Sequence, residues 1–199
     1  ADRQPMRTAE ALYRSEIIPL CEGGCIVYTR FHHLIIDGFG MSLFAQKVLD
    51  VLDGKECRAD SFAANAATDL SDSDASFWQN YFDEAEFEPA IFSEKAVGVG
   101  FTAYNFSCEK DFSDSLKQFA QSNKLTPAYV FAAAYALYLA ESTGKKDAVF
   151  LMPRLNRTPA QMNVIGCYTL LVLVRVRVDQ KQTFAELCRS VETASREAS

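Results

Sequence analysis

The chain has 199 residues, 49% of them hydrophobic and 12% aromatic, enough to bury one substantial core in one large domain or two small ones. Its formal charge of -6, with the basic residues scattered, excludes the concentrated positive patch that phosphate-backbone recognition needs, so no nucleic acid partner is expected. The six cysteines form no CxxC pair and no ligand-spaced cluster, which predicts reduced thiols in a cytoplasmic protein. No apolar run, Cys167 to Val174 among them, approaches the roughly 20 residues that cross a bilayer, so no membrane partner is expected either.

In chain order, Leu12 to Leu20 and Cys25 to His32 are strand-like runs rich in Tyr, Ile and Val. Glu22-Gly23-Gly24 separates them, and its glycines can supply the positive φ of a tight turn, which predicts a β-hairpin. The second strand leads through His32-His33 and Leu34-Ile35-Ile36 to Asp37-Gly38. Leu43, Phe44, Val48, Val51 and Leu52 then recur at helical spacing until Gly54, so the histidines fall at a strand-to-helix junction.

Lys55 to Ser73 has no clear period and reads as a surface connection, after which Phe77, Trp78, Tyr81 and Phe82 give a short helix an aromatic face suited to core packing. Val97 to Phe106 is expected to be a strand, and Ser113 to open a helix carrying Leu116, Phe119 and Ala120. Thr126-Pro127 supplies an N-cap and a first-turn proline for an Ala- and Tyr-rich core helix that stops near Gly144. Asp147 to Met152 reads as a strand, Pro153 to Gly166 as a polar loop and Tyr168 to Val178 as a long strand. Thr183 and Glu186 form a capping box for a last helix that turns Phe184, Leu187, Cys188 and Val191 inward. Strands and helices in this mixed order predict an α/β or α+β layer architecture.

The segment His32-His33-Leu34-Ile35-Ile36-Asp37-Gly38 matches the pattern HHxxxDG at every fixed position. In this it resembles the condensation domains of nonribosomal peptide synthetases, which belong to the chloramphenicol acetyltransferase-like superfamily. Val164 to Val176 is similar to that family's later motif of Ile-Gly, an aromatic residue and a strand ending Leu-Arg-Val. Phe77 to Phe82 resembles its tryptophan-bearing helix, and Met152 to Arg157 its arginine-containing turn. Two positions depart from the family pattern: Leu170 stands where asparagine is usual and Gly40 where serine is common.

The resemblance implies a chloramphenicol acetyltransferase-like, two-lobed sandwich of α/β (α+β) class, here a partial domain because members of the family are considerably longer. Residues 1–73 are then the end of the N-terminal lobe, with the active-site motif and a connection, and residues 74–199 the start of the C-terminal lobe. It further implies that His33 is the catalytic residue, with His32, Asp37, Gly38 and Arg154 as motif and structural residues.

Adjacent strand residues point to opposite faces, so His33 is expected to face a cleft between the lobes while His32 packs. An imidazole titrates near neutrality and can take a proton from an amine attacking a thioester, or orient that amine by a hydrogen bond. By the resemblance, Asp37 pairs with an arginine of the other lobe, Arg154 first and Arg157 in reserve, through two parallel charge-assisted hydrogen bonds. Gly38 is expected to spare a turn from strain and an approaching pantetheine arm from crowding. A metal site of His32, His33 and Asp37 is disfavoured because neighbouring strand residues diverge.

The family reading implies amide formation between an acyl or peptidyl thioester and an aminoacyl amine. Both are carried on the phosphopantetheine of peptidyl carrier protein domains, upstream and downstream, with no cofactor bound to this chain itself. A coenzyme A-dependent acyltransferase, an epimerisation domain and an inactive carrier-docking domain are the alternatives. A heterocyclisation domain is disfavoured, since that group has aspartate in place of the motif's histidines.

Overall fold

A computed structural model describes residue 6 and residues 8–58, 60–62, 72–87 and 105–198. The chain forms two compact units, Ala1–Asp69 with Leu155–Leu170 and Leu70–Arg154 with Leu171–Ser199. A linear division between residues 73 and 74 leaves 155–170 with the second unit, whereas the structure returns that segment to the first. The physical reason is a set of bonds to the motif: the Asp37 N–H donates to the Gly166 carbonyl at 3.2 Å, and the Asp37 side chain reaches residues 157, 168 and 169.

The first unit is built on the expected hairpin. Strands β1 (Tyr13–Pro19) and β2 (Cys25–Phe31) pair antiparallel, from Tyr13 opposite Phe31 to Pro19 opposite Cys25. Gly23 and Gly24 hold φ of +92° and +87° in the turn, a region that costs glycine nothing. After β2 comes a 3-10 turn, His33–Ile35, and then helix α1 (Gly38–Leu52), whose end is marked by Gly54 at φ +75°. The helix begins at Gly38, a turn earlier than its apolar spacing indicates, because Asp37 caps it.

The second unit contains α2 (Asp72–Tyr81), α3 (Lys110–Ser122), α4 (Pro127–Thr143), α5 (Phe184–Glu197) and most of β3 (Asp147–Leu155) and β4 (Thr169–Arg177), with β3 and β4 hydrogen-bonded to each other. The expected strand from Val97 to Phe106 lies outside the described residues except for Asn105 and Phe106, which are irregular. Strand β3 runs on through Pro153 to Leu155, past the point at which composition suggests a loop, and only a 3-10 turn at Pro159–Gln161 interrupts the connection to β4. Helix α3 starts at Lys110 instead of Ser113.

Helix α4 buries Val130, Ala133, Ala136, Leu139 and Ala140 and packs on α3 and α5, while its bulky Phe131, Tyr135 and Tyr138 stay exposed. Small residues on the inner stripe let neighbouring helices approach closely. Val172, Val174 and Val176 alternate inward along β4 and meet Leu187, Cys188 and Val191 of α5 in the same core, with Trp78 of α2 packed against it. The capping box of Thr183 and Glu186 forms as the sequence indicates. Phe184 does not turn inward: at the first helical position it is partly exposed and meets the Phe119 ring at 5.8 Å.

A second polar network lies in this unit. Arg175 pairs with Asp147 at 3.4 Å and donates to the Tyr81 and Asp83 carbonyls at 2.6 and 3.1 Å. The Arg175 N–H donates to the Tyr81 hydroxyl at 2.8 Å, and Asp147 also accepts the Glu86 N–H at 2.9 Å. Among the described residues, no helix is long and apolar enough to cross a membrane.

Candidate active site

The hairpin delivers the two histidines. The β ladder extends one residue past β2, where the His32 N–H donates to the Leu12 carbonyl at 2.8 Å, and His32 then caps the 3-10 turn. Its Nδ1 accepts the Leu34 N–H at 3.0 Å, which places the ring proton of neutral His32 on Nε2. His32 is half-buried and engaged with backbone; His33, within the turn, is exposed. The contrast between them comes from the cap and the turn, not from alternation along a strand, because neither residue lies in β2. The His33 Nδ1 lies 3.9 Å from the Cys167 Sγ.

Asp37 is wholly buried. Its Oδ1 accepts the Gly40 N–H at 2.7 Å, capping α1, and its Oδ2 accepts the Tyr168 and Thr169 N–H groups at 2.9 and 3.1 Å and the Thr169 hydroxyl at 3.3 Å. The Arg157 Nη2 completes the set, 3.1 Å from Oδ1 and 3.3 Å from Oδ2. Burial by itself would push the carboxyl's pKa up, but the Gly40 and Tyr168 N–H groups, followed by Arg157, outweigh it and hold the pKa below the ordinary 3.8.

The partner of Asp37 is therefore Arg157, and the expected pairing with Arg154 is corrected. Arg154 belongs to β3 in the second unit and donates to the Ser195 hydroxyl at 3.3 Å, whereas Arg157 lies beyond the end of that strand, in the segment that returns to the first unit. The pair accordingly lies within one unit and does not join two. Nor is it a parallel fork, since a single nitrogen serves both carboxylate oxygens. The Nη1 donates instead to the Gln161 and Val164 carbonyls at 2.9 and 2.6 Å, and Nη2 also to the Gly166 carbonyl at 2.9 Å. The guanidinium carbon sits 4.8 Å from the Phe39 ring centre and 4.4 Å from that of Tyr168, so the cation is bracketed by two aromatic rings.

Gly38 needs correction too. Its φ is not in the left-handed region, and a Cβ there would meet no described atom within 4 Å, so neither backbone strain nor packing demands glycine at the start of α1. The glycine that packing does demand is Gly40, where a Cβ would lie 2.8 Å from the Ile36 Cγ1 and 3.0 Å from the Gly166 carbonyl oxygen. At Gly166 itself a Cβ would fall 2.3 Å from the Phe62 ring. Gly40, Tyr168 and Thr169 were not among the expected site residues. An aspartate directly before a helical run is an N-cap signal that points to Gly40, but no local pattern announces the contacts with Tyr168 and Thr169.

The arrangement thus separates two functions. The carboxylate is saturated by N–H and O–H donors and ties α1 to residues 157–169, while the neighbouring imidazole of His33 stays open to solvent and is not bonded to that carboxylate.

The sequence and fold agree with known proteins. The chain is similar to the dimodular nonribosomal peptide synthase of Bacillus subtilis, at 29% identity over 181 residues, covering 82% of this chain and 8% of that protein. It is similar to surfactin synthase subunit 1 of the same organism at 25% identity over 199 residues, covering 89% of this chain and 5% of that one. Its fold is similar to that of the first condensation domain of the CDA synthetase, with a TM-score of 0.67 and 24% identity, covering 94% of this chain and 45% of the other. The chain therefore spans a small part of each synthetase and less than half of the solved domain, so the α/β fold is present in part. The model of the condensation domain matches residues 3–199, and the chain belongs to the condensation domain family.

Proposed function

We propose that this chain carries the active-site portion of an amide-forming condensation domain of a nonribosomal peptide synthetase, with His33 as the group that acts on substrate. An acyl or peptidyl thioester on an upstream carrier protein meets the amine of an aminoacyl group on a downstream one. The nitrogen attacks the thioester carbonyl, the carbon–sulfur bond breaks, and the upstream carrier leaves as its free pantetheine thiol. The reactive arms belong to the carriers, so the chain needs no cofactor of its own. His33 takes the proton of the attacking amine or orients its lone pair, a contribution typically of about 10² to 10⁴-fold. All six cysteines are free thiols, which fits the reducing cytoplasm in which such synthetases would work.

The observation that carries this reading is the separation of His33 from Asp37. Gly40, Tyr168, Thr169 and Arg157 occupy the carboxylate, and the exposed imidazole contacts the Cys167 thiol instead. A hydrolase-like relay, with the aspartate orienting the histidine, is absent from this geometry. What is left is a solvent-accessible base on a scaffold fixed from behind, as transfer between two tethered substrates requires.

The test is an assay of the full-length protein with carrier-loaded donor and acceptor thioesters. Amide product on the downstream carrier supports the proposal. Acyl transfer only from free acyl-coenzyme A, inversion of the aminoacyl centre without coupling, or tight carrier binding without turnover would replace it with an acyltransferase, an epimerisation domain or a docking domain respectively.

A further inference from the structure

The thiol of Cys167 has no part in that mechanism, yet it stands 3.9 Å from the Nδ1 of His33 and is half-buried. Its position is clamped on both sides by the Asp37 scaffold. The Gly166 carbonyl before it accepts the Asp37 and Arg157 N–H groups, and the Tyr168 N–H after it donates to the Asp37 carboxylate. The remaining free cysteines sit differently: Cys21, Cys25, Cys57 and Cys108 are exposed, and Cys188 is buried in the core, where burial pushes its thiol pKa up. Of the six cysteines, Cys167 alone has an imidazole within hydrogen-bonding reach of its sulfur.

We infer that Cys167 is a thiol-exchange site whose occupant, a small disulfide-derived thiol, covers His33 and arrests the domain. This rests on His33 as the group that acts on substrate. A thiolate, not a thiol, attacks disulfides, and an adjacent imidazole supplies the base that forms it. In the step, the Cys167 sulfur gives its proton to the His33 Nδ1 and attacks one sulfur of glutathione disulfide. The sulfur–sulfur bond of the reagent breaks, a new one forms to Sγ, and the released glutathione thiolate takes up the proton. The cysteine is oxidised and the reagent reduced, so no other oxidant is needed. The glutathionyl group so attached begins within 4 Å of the imidazole and blocks the approach of a pantetheine arm. A thiol reductant reverses the change.

The experiment treats the full-length protein with glutathione disulfide and follows each cysteine by peptide mass spectrometry, with amide formation measured in parallel. Cys167 should be modified ahead of Cys21, Cys25, Cys57 and Cys108, and turnover should fall in step with its occupancy and return on reduction. Cys167→Ala should keep its turnover and resist the treatment, and His33→Ala should slow modification at residue 167 by about tenfold or more. Modification at Cys167 no faster than at the exposed cysteines, or a rate unchanged in His33→Ala, overturns the inference. So does equal inactivation of Cys167→Ala. The mass readout needs no turnover, so an inactive protein that is still rapidly modified at Cys167 refutes the amide-forming reading and leaves the exchange site standing.

Discussion

Among the described residues, each unit of the molecule contains a carboxylate–guanidinium pair with a buried carboxylate, and the two are built differently. Asp37 and Arg157 lie 3.1 Å apart with both side chains 0% exposed, whereas in Asp147–Arg175 the separation is 3.4 Å and the arginine side chain remains 20% exposed. Arg157 spends its two Nη groups on three carbonyls as well as the carboxylate and is bracketed by Phe39 and Tyr168; Arg175 still reaches water. Water access decides what such a pair is worth, since a dry charge stripped of its partner has nothing to replace it and a wet one does. The drier pair lies directly behind the proposed active site, which fits a role in holding the His33 turn in place and no role in the chemistry.

The largest effect is expected from Asp37→Ala, which strands the Arg157 cation and removes the cap of α1. The loss should be about 3 to 5 kcal/mol in chemical denaturation. A loss near that of an exposed pair would show that the site is wetter than the structure has it.

The same pair makes a pH prediction. A carboxyl whose pKa is lower folded than unfolded adds stability that is complete above the ordinary 3.8 and is lost as pH falls through its folded value. The stability difference between the wild type and Asp37→Asn should therefore be constant near neutrality and shrink as pH drops below about 4. A difference flat across that range would mean that Asp37 has no lowered pKa.

Arg157→Lys keeps the charge and loses the planar set of donors that reaches Gln161, Val164 and Gly166, so it should cost about 2 kcal/mol despite its conservative appearance. Asp147→Ala is expected to fall below either change at the first pair, at about 1 to 2 kcal/mol, because Arg175 retains solvent and the carbonyls of Tyr81 and Asp83. A cost for Asp147→Ala equal to that of Asp37→Ala would remove water access as the deciding factor.

The parts of the fold that were legible in the sequence are those fixed by neighbouring residues. Glu22-Gly23-Gly24 specifies its hairpin, Pro127 and Gly144 bound α4, and Thr183 with Glu186 starts α5, because each involves contacts only a few residues apart. What was not legible depends on where the chain returns. Choosing between Arg154 and Arg157 requires knowing that β3 ends at Leu155, and the continuation of that strand through Pro153 is opposed by local propensity and carried by its pairing with β4. Gly40 and Gly166 pack tightly for the same reason, since the atoms their Cβ groups would strike include partners far along the chain, such as Gly166 for Gly40 and Phe62 for Gly166. The motif drew attention to Gly38, while close packing selects its neighbour two residues on.

The central claim is that His33 acts on substrate while Asp37 holds the structure, and the most direct measurement is amide formation by full-length His33→Ala beside its thermal midpoint. The account predicts turnover lowered by about 10² or more with an unchanged midpoint, as for an exposed side chain that contributes to the reaction and not to the core. Turnover equal to wild type in a folded His33→Ala protein would contradict it and leave the imidazole a bystander.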